Sequence, residues 1–510
     1  MACCSGRDDD LPQRLVVGGR PSSLACRDPV FALLFLGNLV ALIWLLIWFM
    51  QDHDLEDHLN ASFAELSQHQ LHENLEVASR GAAYALFGNI CLAAVWLFMC
   101  RFAPTVLIVS AQLLLVVACV AGAVIFATFP EALHVSTDGE ATHQPGHFIA
   151  MFFLALLAAL TSLYLCCNHK RIAFTALILS QVTRVLQIAP ELLVLKLGLS
   201  KVVLLFGMLW VGAYLELLGM LSAAEASFGL WALGHAWALF SLFWVAITLI
   251  NVALVTACAT VAAWYFSPST FTKGCFCFRP AVYWGLLRSF TVSFGSIAFG
   301  SFVIAFVKNI VLIMQHLARR ANDSGSLAKL LCCCFICCLR GLDQWVTWMT
   351  DYAFVYVAIY GTSFITSGSR VASLMGREGL ESIVHETLLY PLSWLTTALG
   401  LAVGCVCGYV AHTQVPETEV WLPVLCGALV GSLVISVGVS TIQAGCNTLF
   451  ICYAEEPHAL RDLAPELHAR LRESSPLKDT AYRAPDAWSR RHPSESRIHR
   501  PSSPQPLISP

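Results

Sequence analysis

Apolar residues run in long unbroken blocks along this chain, and polar residues are confined to the gaps between them. A helix rising about 1.5 Å per residue needs roughly 20 apolar residues to cross a hydrocarbon core of about 30 Å. Nine blocks meet that length: 30–50, 81–100, 105–129, 147–167, 192–221, 237–263, 290–314, 387–410 and 420–446. A tenth, 172–189, is shorter, carries Gln181, Arg184 and Gln187, and stops at Pro190. The alternative tenth span is 345–366, in which case 172–189 lies on the membrane surface. Either choice predicts an all-α polytopic membrane protein of about ten transmembrane helices, both termini on one side.

The charge of the short gaps gives the expected side. Arg7, Arg14, Arg20 and Arg27 precede the first block, Arg101 follows the second, and Lys170 and Arg171 follow the fourth. The gaps between these points are acidic, beginning with Asp52, Asp54, Glu56 and Asp57. Both termini are therefore expected in the cytosol. Asn60-Ala61-Ser62 is an acceptor sequon in the 51–80 gap, an outer loop on this reading, which makes Asn60 the expected glycosylation site. The predicted organisation is a cytosolic segment 1–29, a membrane domain 30–453 with a cytosolic Cys-rich loop 315–386, and a tail 454–510. The tail is rich in Pro, Ser and Arg, buries little apolar area, and reads as disordered in the cytosol.

Composition then works by exclusion. With 57% of the 510 residues hydrophobic and 12% charged, too little polar surface remains for a water-soluble enzyme. A net charge of −3 builds no field for nucleic acid, so the expected surroundings are the lipid bilayer and a small molecule. His-Glu-x-x-His, Gly-x-Ser-x-Gly and the Gly-x-x-x-x-Gly-Lys phosphate loop are all missing from the sequence. No catalytic residue, cofactor or metal is expected, and ATP-driven pumping has no support. Cys332, Cys333, Cys334, Cys337 and Cys338 cluster beside basic residues at an expected membrane edge, which suits reversible palmitoylation.

Three stretches resemble the choline transporter-like family. The first is Cys26-Arg27-Asp28-Pro29-Val30-Phe31-Ala32-Leu33-Leu34-Phe35, leading into the first block. The second opens at Gly295-Ser296-Ile297-Ala298-Phe299-Gly300-Ser301 and runs through the cysteines to Ala358-Ile359-Tyr360-Gly361-Thr362-Ser363-Phe364-Ile365-Thr366-Ser367. The third is Thr448-Leu449-Phe450-Ile451-Cys452, followed by Glu455, and Trp264-Tyr265-Phe266 lies ahead of the second. The resemblance implies ten spans, cytosolic ends, and ATP-independent movement of choline or a related quaternary or primary amine by alternating access, most naturally across the plasma membrane.

Choline carries a permanent charge without N–H donors, so its recognition needs aromatic faces, each worth about 0.5–2 kcal/mol. Trp210 and Tyr214 lie one helical turn apart, with Glu216 in the same block. Trp244 and Asn251 are seven residues apart, Ser296 sits in a strip of small residues from Ser293 to Ser301, and Tyr352, Tyr356 and Tyr360 recur every fourth residue. Plainer readings stand beside these: Glu216 at the interface, Asn251 tying two helices, the strip as close packing, the tyrosines on the cytosolic surface, and Lys308 snorkelling to the membrane edge. The competing function is a membrane scaffold acting through a lipidated loop and tail. Transport predicts a polar cavity with ring faces; a scaffold predicts a dry core.

Overall fold

The structure, a computed structural model, describes residues 26–52, 68–128, 146–223, 227–266, 279–320, 326–415, 419–456, 459–461 and 465–474. In chain order its helices are α1 (Pro29–Asp52), α2 (Gln68–Phe102), α3 (Pro104–Thr128), α4 (Gly146–Cys167), α5 (His169–Ile188), α6 (Glu191–Ala223) and α7 (Phe228–Phe266). They continue as α8 (Pro280–Phe290), α9 (Phe294–Arg320), α10 (Ser326–Tyr360), α11 (Phe364–Thr413), α12 (Trp421–Glu455) and α13 (Pro465–Ser474). Eight of these, α1, α2, α3, α6, α7, α9, α11 and α12, hold a segment long and apolar enough to cross a membrane. The protein is an all-α, multi-pass membrane protein.

Several boundaries differ from the sequence reading. The candidate tenth span, 172–189, becomes α5, which is bent by 85° from α4; counting that bent pair as one span raises the described total to nine. The other candidate, 345–366, covers the end of α10, the break at 361–363 and the start of α11, and α10 is not among the eight. The block 290–314 does not start a helix at 290, because the chain turns at Thr291–Ser293 between α8 and α9. The segment 315–386, expected as a loop, is helical over α10 and again from Phe364, and every residue from Tyr352 to Ile359 is buried. Cys337, Cys338, Arg340 and Gln344 in the earlier half of α10 are exposed, whereas its end from Thr350 to Ile359 packs inside the bundle. Helix α2 starts at Gln68, well inside the expected outer loop. Within the expected tail, α12 reaches Glu455, and α13 follows with Leu471 fully buried. Asn60 and residues 475–510 lie outside the described residues.

Two modes of packing hold the helices together. Water-driven burial offers little attraction between apolar helices in lipid, so close backbone approach through small residues takes over. Along α11, Gly400, Gly404 and Gly408 recur every fourth residue and face Gly427 and Gly431 of α12. A Cβ on Gly404 would collide with the backbone of Gly427, and one on Gly408 with that of Pro423. Helix α2 closes the third side: Gly81 lies against Gly408 and Pro423, and the buried Asn89 amide reaches Gly400 and Gly431 while donating to the Ala85 carbonyl at 2.9 Å. Between α1, α7 and α9 the contact is aromatic instead, with Phe31 stacked on Phe299 at 3.9 Å and Phe35, Phe240 and Phe302 around Trp244 at 5.3–5.4 Å.

The glycine contact generates a prediction. Gly404→Val is expected to destabilise the protein by about 1–3 kcal/mol, the range for overpacking a tight contact. Gly368→Ala, where nothing stands within 4 Å of the new Cβ, is expected to leave stability nearly unchanged. Thermal unfolding of the detergent-purified proteins, followed by size exclusion, checks the pair.

Candidate functional site

A cavity of about 260 Å³ opens between α6, α7, α9, α10 and α12. Its walls carry Lys196 from α6, Asn251 and Cys258 from α7, Lys308 from α9, Thr347 and Asp351 from α10, and Gln443 and Asn447 from α12, with Ile247, Leu254 and Val355 between them. Ionisable groups this deep among apolar helices are costly, and they collect where they partner one another or line a path for solute. Lys308 Nζ is paired with Asp343 at 3.0 and 3.1 Å, both side chains being partly exposed. Asp351 acts on the buried Lys196 by its charge. Two lysines and two aspartates therefore balance around the cavity. Asn251 donates to Ser301 Oγ at 2.9 Å.

Beyond the cavity, three chain segments are pinned by one carboxylate. Asp28 Oδ2 accepts the Ser296 hydroxyl at 2.7 Å and the Phe364 backbone N–H at 2.9 Å. The second bond caps the first turn of α11, where four backbone N–H groups have no partner within the helix. Asp28 itself adopts a left-handed backbone, φ 52°, and the Arg27 N–H donates to the Val292 carbonyl at 2.8 Å. This backbone presses on Gly295 so closely that any Cβ there would collide with the Arg27 and Asp28 carbonyls. The break between α10 and α11 is built on Gly361, φ 61°, whose missing Cβ makes room for the Arg288 guanidinium. Burial, and then the charge of Arg27, lowers Arg288 to about 10, still protonated near neutrality.

A third arrangement lies where α7, α10 and α12 end. Tyr356 and Tyr360 stack with centroids 6.0 Å apart, and the Tyr356 hydroxyl donates to Glu455 Oε1 at 2.8 Å. Tyr265 donates to the Glu456 carbonyl at 3.0 Å. Arg370, in the first turns of α11, holds its guanidinium 4.6 Å over the Tyr360 ring.

The sequence-derived candidates thus fall in separate places. Of the eight, Asn251 lines the cavity. Trp210 and Tyr214 do stack, centroids 5.0 Å apart, but Trp210 donates to the Ala238 carbonyl and Tyr214 meets His235 edge-on. They sit fourteen or more residues along α6 from Lys196, about 20 Å at about 1.5 Å per residue. Glu216 is buried on the same helix. Trp244 is a core residue, with its rings packed by phenylalanines and its N–H given to the Ala298 carbonyl at 3.0 Å. Ser296 serves the Asp28 junction, and Tyr356 is buried rather than on a membrane surface. None of the described residues that line the cavity is aromatic. Lys196, Asp351, Gln443 and Asn447 escaped the sequence reading, although an Asp and a Lys inside helical apolar stretches were a visible signal. Cys337 and Cys338 are exposed on α10, while the side chains of Cys332, Cys333 and Cys334 lie outside the described residues.

Comparison with known proteins bears on the whole bundle. A family model described as plasma-membrane choline transporter matches residues 152–458, more than half of the chain and all of the cavity-lining helices. Protein PNS1 of Yarrowia lipolytica is 25% identical over 355 residues, covering 66% of this chain and 61% of its own length. A CTL-like protein of Dictyostelium discoideum is 24% identical over 46% of this chain and 43% of its own. Choline transporter-like protein 2 of Xenopus laevis is 28% identical over 42% of this chain and 32% of its own. The chain therefore spans less than two thirds of each of these relatives.

The Asp28 junction predicts a graded series. Ser296→Ala removes one hydrogen bond and is expected to cost about 1 kcal/mol. Asp28→Ala removes both bonds, the one to Phe364 N–H among them, and is expected to cost about 2–3 kcal/mol, with Asp28→Asn between the two because an amide oxygen still accepts. Thermal unfolding midpoints falling in that order check the assignment; equal midpoints for Asp28→Ala and Ser296→Ala contradict it.

Proposed function

The chain belongs to the plasma-membrane choline transporter family, and from that premise we propose that it carries choline or a related small amine across a membrane without ATP. The observation that supports this reading is the cavity between five helices, four of them long apolar spans, whose wall carries Lys196, Asp351 and the amides of Asn251, Gln443 and Asn447. A scaffold would need no such chamber. In the proposed cycle both termini are cytosolic, the plasma membrane is the site of action, and the helices rock to open the cavity to each side in turn.

Recognition in the cavity rests on charge and dipoles. Asp351 supplies the carboxylate for the cation, and the amide oxygens of Asn251, Gln443 and Asn447 replace part of its hydration. Lys196 balances Asp351 while the cavity is empty of cation, so an entering amine competes with an internal one. The aromatic contribution expected for a methylated amine lies further along the path, at Tyr356 and Tyr360. Val355, on the cavity wall, is adjacent in sequence to Tyr356.

Uptake of radiolabelled choline into cells expressing the chain tests the reading. Wild type is expected above vector control, and Asp351→Asn at equal surface expression is expected to fall about tenfold or more, the worth of one charge-assisted contact. Trp210→Ala, remote from the cavity, is expected to keep most of the uptake. Background uptake by well-expressed wild type would overturn transport of choline; unchanged uptake in Asp351→Asn would remove the cavity assignment.

A further inference from the structure

The tyrosine cluster at the end of α10 holds the chemistry that the cavity wall lacks. A cation without N–H donors is held by ring faces with carboxylates close by. Here two stacked tyrosine rings, Tyr356 and Tyr360, stand beside Glu455, whose Oε1 accepts the Tyr356 hydroxyl at 2.8 Å. Glu455 and Glu456 both act by charge on Tyr360. The Tyr360 face is occupied: the guanidinium of Arg370 sits 4.6 Å from its centre. Guanidinium is the most weakly hydrated cation a protein owns, and it stacks on rings as a methylated ammonium does.

We propose that this cluster is a second binding station for a quaternary ammonium cation, and that Arg370 fills it in the present conformation as a tethered stand-in for the solute. The inference rests on the transport reading above and deepens it, by naming where ring recognition occurs and what closes that end of the path.

Placement supports this. From Val355 in the cavity wall to Tyr360 is five residues of α10, about 7.5 Å, and from Asn447 to Glu455 is eight residues of α12, about 12 Å, at about 1.5 Å per residue. The station thus lies about 7.5–12 Å along these helices from the cavity wall. Arg370 also belongs to a different helix from the ring it covers. The chain breaks at Gly361 and restarts as α11 at Phe364, so the guanidinium leaves the ring when the first turns of α11 shift relative to α10. One ring face takes one cation at a time, so solute and Arg370 exclude each other there.

Equilibrium binding of tetramethylammonium to the purified full-length chain tests this, read in an Asp351→Asn background that disables the cavity carboxylate. Arg370→Ala is expected to bind tetramethylammonium about tenfold more tightly than the background protein, because the tethered competitor is gone. Arg370→Lys, which keeps a cation on the tether, is expected to gain much less. Adding Tyr360→Leu to Arg370→Ala is expected to abolish the gain. An Arg370→Ala protein of normal elution and melting whose affinity is unchanged or weaker would overturn the station, as would a gain that survives Tyr360→Leu. If Arg370→Ala is not recovered folded, Arg370→Gln replaces it with the same expected and overturning results. Because the readout is binding, the two readings fail separately. Absent choline uptake with a tenfold gain sinks transport alone; normal uptake with no gain sinks the station alone.

Discussion

A polar side chain inside a bundle of apolar helices has no water to fall back on, so the chain itself must satisfy it. Much of this architecture follows from that requirement. Asn89 spends its amide on a carbonyl one turn back and fits against two glycines of neighbouring helices. Thr183, Thr248, Thr256, Thr260, Thr441 and Thr448 all return their hydroxyls to the carbonyl four residues earlier. Asp28 uses one oxygen to hold two segments far away in sequence. Other buried atoms, among them Asn89 Oδ1 and Asn309 Oδ1, have no such partner, and at the cavity Lys196 and Asp351 face an open volume.

The fold class was legible because the requirement for about 20 apolar residues per crossing is written directly into the sequence. What was not legible was the arrangement of helices that carry polar residues yet lie inside. Helix α10 begins with basic residues and a cysteine cluster, and these outweighed the run Tyr352–Ile359 that the structure buries. Assigning that segment to a cytosolic loop also hid Asp351. The glycine spacing at Gly400, Gly404 and Gly408 was in plain view, but its partner on α12 is a matter of tertiary pairing.

The candidate site was only partly readable for a related reason. Spacing identifies residues that share a helix face, as Trp210 and Tyr214 do, and it correctly aligned Tyr356 with Tyr360. It does not say whether the shared face looks into a void or into another ring. Trp244 has the composition of a cation cage around it, but phenylalanines fill the space. The family-like residues have a similar lesson: Asp28, Ser296, Gly295, Gly361 and Phe364 form one junction, which brings together motifs more than 300 positions apart.

Helix α11 joins these parts mechanically. Its 50 residues measure about 75 Å at about 1.5 Å per residue, with one end bonded to Asp28 and the other locked between glycines. Pro391 interrupts the hydrogen-bond ladder between those anchorages, the usual place for a helix to flex. From Pro391 to Phe364 the arm is about 40 Å long, so a change of angle of about 10° there would displace the Asp28-bonded end by about 7 Å. At Arg370, about 31 Å from Pro391, the same angle corresponds to about 5.5 Å, against the 4.6 Å between its guanidinium and the ring it covers. An articulation at Pro391 would therefore withdraw that guanidinium only together with release of the Asp28 bond at the start of α11.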